Sequence, residues 1–479
     1  MLDTELTQVP GELLHWQDAA HLFMQLYDML DEEIFHDGRA SRWSAEPEFR
    51  NTVAEVEEHL LHYGYVAQVS PGATVNTVDQ YLLLATVRGI DGALWHANPF
   101  ANAYESGRLT EIAIRYARTG AFNDPQCVDG LLLPRCAMPG RPLGSGRKED
   151  FFSVHRVSAE VARHVCHSRL PASHEPFSPG AELLVACAPF MDSFEEMGLS
   201  VDLEHGPASY GFAPRYSDAL VERIRTVVRK MDDAGAHIGM IPEGSLSREI
   251  LEAWRKVAKD TATPSSSLRW ILVGSGPCHP SYPPPNRAVL IDRISGEVVM
   301  TQDKMARFTI TRSQAREWEV PWDPAIGRVV EGIRVGSVLE MRDSIVGRLI
   351  IAICEDLAQR MSWSREAAAF GVSHILVPIF SKPIIEFHWE QQSAVQLVTD
   401  LGAWVVVANS LTIARETAHG EGGTCAIFGP GDPDREEWHR CIPEFGTSDE
   451  VDALGRTSSG SLPSIRSGLL PASWCDVGG

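Results

Sequence analysis

Two rhythms divide the chain. Up to about residue 178, apolar positions recur at helical spacing, as in DAAHLFMQLYDMLDEEIF and EFRNTVAEVEEHLLHYGYV. From Glu182 onward, short apolar runs alternate with amphipathic stretches. LLVACAPF reads as a strand. Ser217 is a good N-cap for a helix that places Leu220, Ile224, Val227, Val228 and Met231 on one face, with Gly235 as its stop. Then follow the strand HIGMIPE, a helix carrying Ile250, Leu251, Trp254 and Val257, and the strand LRWILVGS. RAVLIDRISGEVVMTQDK predicts two strands joined by a turn at Ser295-Gly296. The series continues with the strand LIIAIC, a helix from Trp363 to Phe370, HILVPI, a helix from Ser393 to Leu401, WVVVANS and TCAIFG. Strands alternating with helices, and a hairpin among them, predict an α/β domain with a mixed sheet behind a mainly helical N-terminal domain.

The length of 479 residues exceeds one ordinary core, in keeping with more than one domain. PASHEPFSPG, between Pro171 and Gly180, reads as a linker, and MPGRPLGSGRKED as an exposed loop. The expected parts are residues 1–178, mainly helical, 179–448, α/β, and 449–479, a flexible tail containing GRTSSGSLPSIRSG.

Composition narrows the classes. Hydrophobic residues make up 44% and charged residues 22%, a globular balance. A formal net charge of -22 opposes a nucleic-acid partner held by counterion release. MLDTELTQVPGELLHW is acidic where a secretory signal starts basic, and no apolar run is long enough to span a bilayer. The nine cysteines are scattered without a C-x-x-C pair, which favours a reduced, cytoplasmic protein over a disulfide scaffold or zinc site. Cys166-His167, with His164 nearby, fits no zinc template and reads as helix surface.

Three apolar strands finish on a reactive or charged side chain: HIGMIPE on Glu243, EVVMTQDK on Lys304 and LIIAIC on Cys354. By residue type alone, a Cys closing an apolar strand is mostly inert core. The combination reads differently, because sites in α/β sheets lie beyond the carboxyl ends of strands. A thiol needs a base or nearby positive charge to become a nucleophile, and Glu243 could be that base. Lys304 would face a developing oxyanion, together with backbone N–H groups at the turn after Cys354. Such a set suits acyl transfer from a C–N bond.

Here the chain resembles the nitrilase, or carbon-nitrogen hydrolase, superfamily over about residues 181–445. IPEGSL resembles that family's Glu motif, DKMARF its Lys motif and IAICEDL its Cys motif. PPNRAVLIDRISGEV, FHWEQQSAVQLVTDLGAWVVVANS and GGTCAIFGPGD resemble its intervening and closing segments, in the same order. The resemblance implies a four-layer αββα sandwich with Glu243 as general base, Lys304 as oxyanion stabiliser and Cys354 as nucleophile. It also implies the backbone N–H of Glu355 as an oxyanion donor, and a second glutamate beyond the lysine, Glu317 or alternatively Glu319. No metal or organic cofactor is implied. Cys354 is followed by Glu-Asp, where members acting on nitriles usually carry Trp-Glu, which points to a small-molecule amide substrate. Family relatives commonly form homodimers or larger assemblies.

The leading expectation is therefore an amidase-type hydrolase working through a thioester. One alternative keeps the triad and passes the acyl group to an amine. Another makes the N-terminal domain a sensor of a protein partner and the hydrolase domain its effector.

Overall fold

The computed structural model describes residues 19–63, 79–96, 110–124, 127–135, 148–170, 182–203, 208–263, 265–318, 328–344, 346–384, 389–413, 423–429 and 446–458. These form two compact units, one holding the described residues up to Arg163 and the other those from His164 to Ser458.

In the first unit, helices Ala19–Asp28, Pro47–Tyr63, Gln80–His96 and Thr110–Thr119 accompany an antiparallel pair of strands, Gly130–Pro134 and Val154–Ser158. Apolar faces at helical spacing are buried together: Phe23, Phe35, Leu84, Ile90 and Phe122 share one core with Phe152. Gly89 allows the second and third of these helices to approach, since a Cβ there would lie 2.5 Å from Val56 Cβ.

The second unit contains two six-stranded sheets. The first runs, in spatial order, Val298–Asp303, Arg287–Asp292, Trp270–Gly276, Ile238–Met240, Glu182–Cys187 and Asp452–Ser458. The second runs Cys425–Phe428, Trp404–Asn409, His374–Ile379, Gly347–Ile351, Leu339–Ser344 and Val165–Arg169. In each, three parallel strands are flanked by antiparallel neighbours. The strands Trp270–Gly276, His374–Ile379 and Trp404–Asn409 are buried at every position, so both faces of each sheet are covered. Helices Asp218–Asp233 and Arg248–Asp260 share one core with Ile271, Val273, Val289 and Ile291 of the first sheet. Ser217 and Ser247 cap these helices by accepting from Leu220 N and Ile250 N. A smaller sheet orders Thr309–Ile310, Val329–Glu331, Ser209–Gly211 and Ser200–Asp202. Among the described residues, no helix is long and apolar enough to cross a membrane.

Three differences from the sequence reading concern sheet edges. Cys166 and His167 lie on a strand, not a helix. Val165–Arg169 pairs in parallel with Leu339–Ser344, and His167 Nε2 lies 3.2 Å from Asp343 Oδ1. That strand belongs to the second unit, although the expected boundary at residue 178 lies beyond it. Asp452–Ser458, within the expected flexible tail, pairs antiparallel with Glu182–Cys187. Edge pairing is made by backbone groups, so the polar composition of DALGRTS does not prevent it. The expected linker at 171–180 and the remainder of the expected tail from residue 459 lie outside the described residues.

Candidate active site

Glu243 stands three residues beyond Ile238–Met240, where the chain turns sharply. Gly244, with φ +76°, makes that turn, and Ser275 O accepts from Ser245 N and Leu246 N at 3.1 and 3.2 Å. Lys304 follows Val298–Asp303 directly; its N–H donates to Asn286 O at 2.9 Å and its carbonyl accepts from Gly336 N at 2.8 Å. Cys354 follows Gly347–Ile351 and caps the short helix Glu355–Ala358. Its N–H donates to Pro378 O at 3.0 Å, and its φ of +48° is one a side-chain-bearing residue rarely adopts. Such strain typically costs about 1–3 kcal/mol and persists only when surrounding contacts impose it.

These three strand ends meet. Lys304 Nζ lies 2.8 Å from Glu243 Oε1, and Cys354, whose thiol donates to Phe380 O at 3.9 Å, interacts electrostatically with both. A fourth group completes the cluster: Glu331 Oε2, 2.7 Å from Lys304 Nζ. Asn286 Nδ2 donates to Glu243 Oε1 at 2.8 Å and to Glu331 Oε1 at 3.0 Å, holding the two carboxylates in register. Phe308 N–H donates to Glu331 Oε2 at 3.2 Å. All four ionisable residues are almost wholly buried.

Burial sets the electrostatics. It pushes the Glu243 carboxyl above its ordinary pKa, against the pull of Lys304. The same burial would lower the Lys304 ammonium, but Glu243 and Glu331 outweigh it and hold the ammonium well above its usual range. Burial, then the Glu243 carboxylate, raises the Cys354 thiol well above its ordinary value, with Lys304 opposing. At rest the cysteine is therefore a neutral thiol in the field of a carboxylate and an ammonium.

Asp356 is fully buried two residues beyond Cys354. Its Oδ1 accepts from Met305 N at 3.0 Å and Ala306 N at 2.8 Å, and its Oδ2 from Ile353 N at 3.1 Å. An aromatic wall stands nearby. Tyr210, fully desolvated, interacts electrostatically with Glu331, Lys304, Glu243 and Cys354. Phe380, whose carbonyl lies 3.9 Å from Cys354 Sγ, packs on Trp318 at 5.1 Å and on Phe212 at 5.4 Å between ring centroids.

Glu355 opens the helix Glu355–Ala358 with its side chain half-buried, and its carboxylate accepts from Gln359 Nε2 at 2.8 Å. Glu317 ends the helix Arg312–Glu317, but its side chain and all of Glu319 lie outside the described residues. The second carboxylate on Lys304 is Glu331, which sequence reasoning missed. The rule that found the other three would have found it, since Glu331 also closes an apolar strand, Val329–Glu331. Asn286 and Asp356 lay inside quoted motifs, but no pattern along the chain marked what their side chains bind.

Among the described residues, one group of three metal-capable side chains lies close enough to share an ion: His21, Cys127 and Asp129, in the first unit, with ligand atoms within 4.8 Å. Asp129 Oδ2 lies 3.6 Å from His21 Nδ1 and 3.8 Å from Cys127 Sγ, the contacts of an ion pair and a thiol hydrogen bond.

No protein-family model matches the chain, and no curated protein does. Solved structures to which it is similar include members of the nitrilase superfamily, over about half of its length. An amidase from Nesterenkonia sp. is 17% identical, covering 54% of this chain and 86% of that one, with a TM-score of 0.32. Nit3 from Saccharomyces cerevisiae, of branch 10 of that superfamily, is 12% identical over 54% of this chain and 86% of its own, with a TM-score of 0.34. The NitFhit protein of C. elegans is 14% identical over 53% and 57%, with a TM-score of 0.35.

Proposed function

We propose that this chain is a cysteine-dependent hydrolase of a non-peptide carbon-nitrogen bond, of amidase type, with a four-layer αββα catalytic domain and an additional mainly helical N-terminal domain. The observation that carries the reading is the buried cluster itself: the Lys304 ammonium paired with the Glu243 and Glu331 carboxylates, and the Cys354 thiol within electrostatic range of Glu243 and Lys304. A purely structural core has little reason to bury a thiol, an ammonium and two carboxylates together, since each charge loses its hydration.

The chemistry follows from the positions. Glu243 takes the thiol proton as Cys354 Sγ attacks the amide carbon, and the carbonyl oxygen becomes an oxyanion facing Lys304 Nζ and the Glu355 N–H. The C–N bond breaks and the leaving amine takes the proton from Glu243, which leaves a thioester on Cys354. Water then gives a proton to Glu243 and attacks the thioester carbon. The acid departs and the thiol is restored. Glu331 and Asn286 keep Lys304 and Glu243 in place throughout, and the Cys354-Glu355-Asp356 sequence favours an amide over a nitrile.

Intact mass spectrometry of the full chain, incubated with a panel of small amides, tests this. An acyl adduct mapped to Cys354, with a Cys354→Ala variant that is folded and inactive, is the expected result. Turnover by that variant at the wild-type rate would overturn the reading.

A further inference from the structure

The side chains of Cys354 and Lys304 come from different sheets, and each must keep its place relative to the other within a fraction of an ångström. The backbone of Lys304 is held by Asn286 O, next to its own sheet, and by Gly336 N, in the segment leading to Leu339–Ser344 of the other, where Gln302 Oε1 also accepts from Glu340 N at 2.8 Å. Cys354 is pinned by Pro378 O in the other. None of these contacts joins the Lys304 turn directly to the Cys354 turn. Asp356 does: one carboxylate oxygen accepts from Met305 and Ala306, the two residues after Lys304, and the other from Ile353, the residue before Cys354.

We propose that Asp356 is a positioning residue that locks the Lys304 turn onto the Cys354 turn, so that the oxyanion formed at Cys354 faces Lys304 Nζ. The inference rests on the reading of Cys354 as the nucleophile. Three features support it besides the three hydrogen bonds. Asp356 is fully buried, so these N–H groups have no water to turn to if it is lost. Its own backbone is anchored independently, with Asp356 N donating to Ile353 O at 3.0 Å and Trp363 Nε1 to Asp356 O at 2.9 Å. The turn it braces also contains the positive-φ Cys354, which relaxes to an ordinary conformation unless held.

Two reactions of Cys354 separate alignment from general stability. Alkylation by iodoacetamide displaces iodide and forms no oxyanion, so it needs the thiol and Glu243 but not Lys304. Acylation by p-nitrophenyl acetate forms a tetrahedral oxyanion before p-nitrophenolate leaves, so it needs Lys304 in place. Both are followed on the full chain by mass mapping of Cys354, in the wild type, Asp356→Ala and Asp356→Asn. Asparagine keeps the shape and can accept on one side only. A misplacement of about 1 Å costs on the order of 100-fold in rate. Acylation should therefore fall by roughly that factor in Asp356→Ala, and less in Asp356→Asn, while alkylation changes no more than a few-fold. Folded variants that keep the wild-type ratio of the two rates would overturn the proposal. Loss of the fold in both variants would overturn it too, because the carboxylate would then hold the chain together rather than align two side chains. If the wild type reacts with neither reagent at Cys354, the nucleophile reading itself fails and this inference falls with it.

Discussion

Lys304 Nζ and Glu331 Oε2 lie 2.7 Å apart, both almost fully buried, and the same ammonium lies 2.8 Å from Glu243 Oε1. One cation thus compensates two carboxylates that Asn286 also ties together. The arrangement makes the lysine a structural requirement.

Removing that cation should therefore be costly. Lys304→Met leaves two facing carboxylates without an ammonium, and a broken buried ion pair typically costs about 3–5 kcal/mol. The double variant Lys304→Met/Glu331→Gln has one buried charge fewer than Lys304→Met and should be more stable than the sum of its single variants. Urea unfolding across the double-mutant cycle measures this coupling, and strict additivity would contradict the shared-cation arrangement.

The Cys354 thiol should be protonated at neutral pH, because burial and the Glu243 carboxylate both hold its pKa up. Ultraviolet thiolate absorbance, taken as wild type minus Cys354→Ala, should then show no step near neutrality. Glu243→Gln removes a negative charge and leaves Lys304, so its thiol should ionise at lower pH than in the wild type. Its acylation should nevertheless fall by about 100-fold or more, since the proposed base is gone. A thiolate already present in the wild type at neutral pH would point to an ion-pair mechanism instead.

Asp356 should imprint a pH dependence on stability. Burial raises its carboxyl pKa in the folded state from 3.8 to about 7, the N–H donors and Lys304 opposing. A raised pKa means that the folded state binds more protons than the unfolded one within that window. The contribution to stability is therefore fully present below 3.8 and is lost as pH rises to about 7. Compared with Asp356→Asn, the wild type should lose stability across this range and level off above it. A pH-independent difference between the two unfolding free energies would show that the carboxylate is not desolvated as described.

The alternation of elements was legible in the sequence because it reports a local fact, which side of a strand or helix meets the core. The helix Asp218–Asp233 begins after Ser217 and buries Leu220, Ile224, Val227, Val228 and Met231, as their spacing implies. The hairpin turns at Ser295-Gly296, where Gly296 has φ +70°. The helix expected from Ser393 starts earlier, at Trp389, because it also buries Glu390, and a carboxylate on the inner face breaks the apolar pattern. Glu390 Oε1 accepts from Ser381 Oγ at 2.7 Å, which is why it can be there.

What the chain by itself determined was the strand ends that deliver Glu243, Lys304 and Cys354, since apolar runs and the residues that close them are written in order. The tertiary structure alone decided that these ends converge, that Glu331 joins them, and that Asp356 binds the turn after Lys304, some fifty positions earlier in the chain. It also decided that Val165–Arg169 and Asp452–Ser458 each form one edge of a six-stranded sheet. The physical reason is common to all of these. Periodicity records which side chains avoid water, whereas a buried charge or an edge strand is satisfied by whichever partner the fold brings within about 3 Å, and nothing in its local sequence records that partner's position.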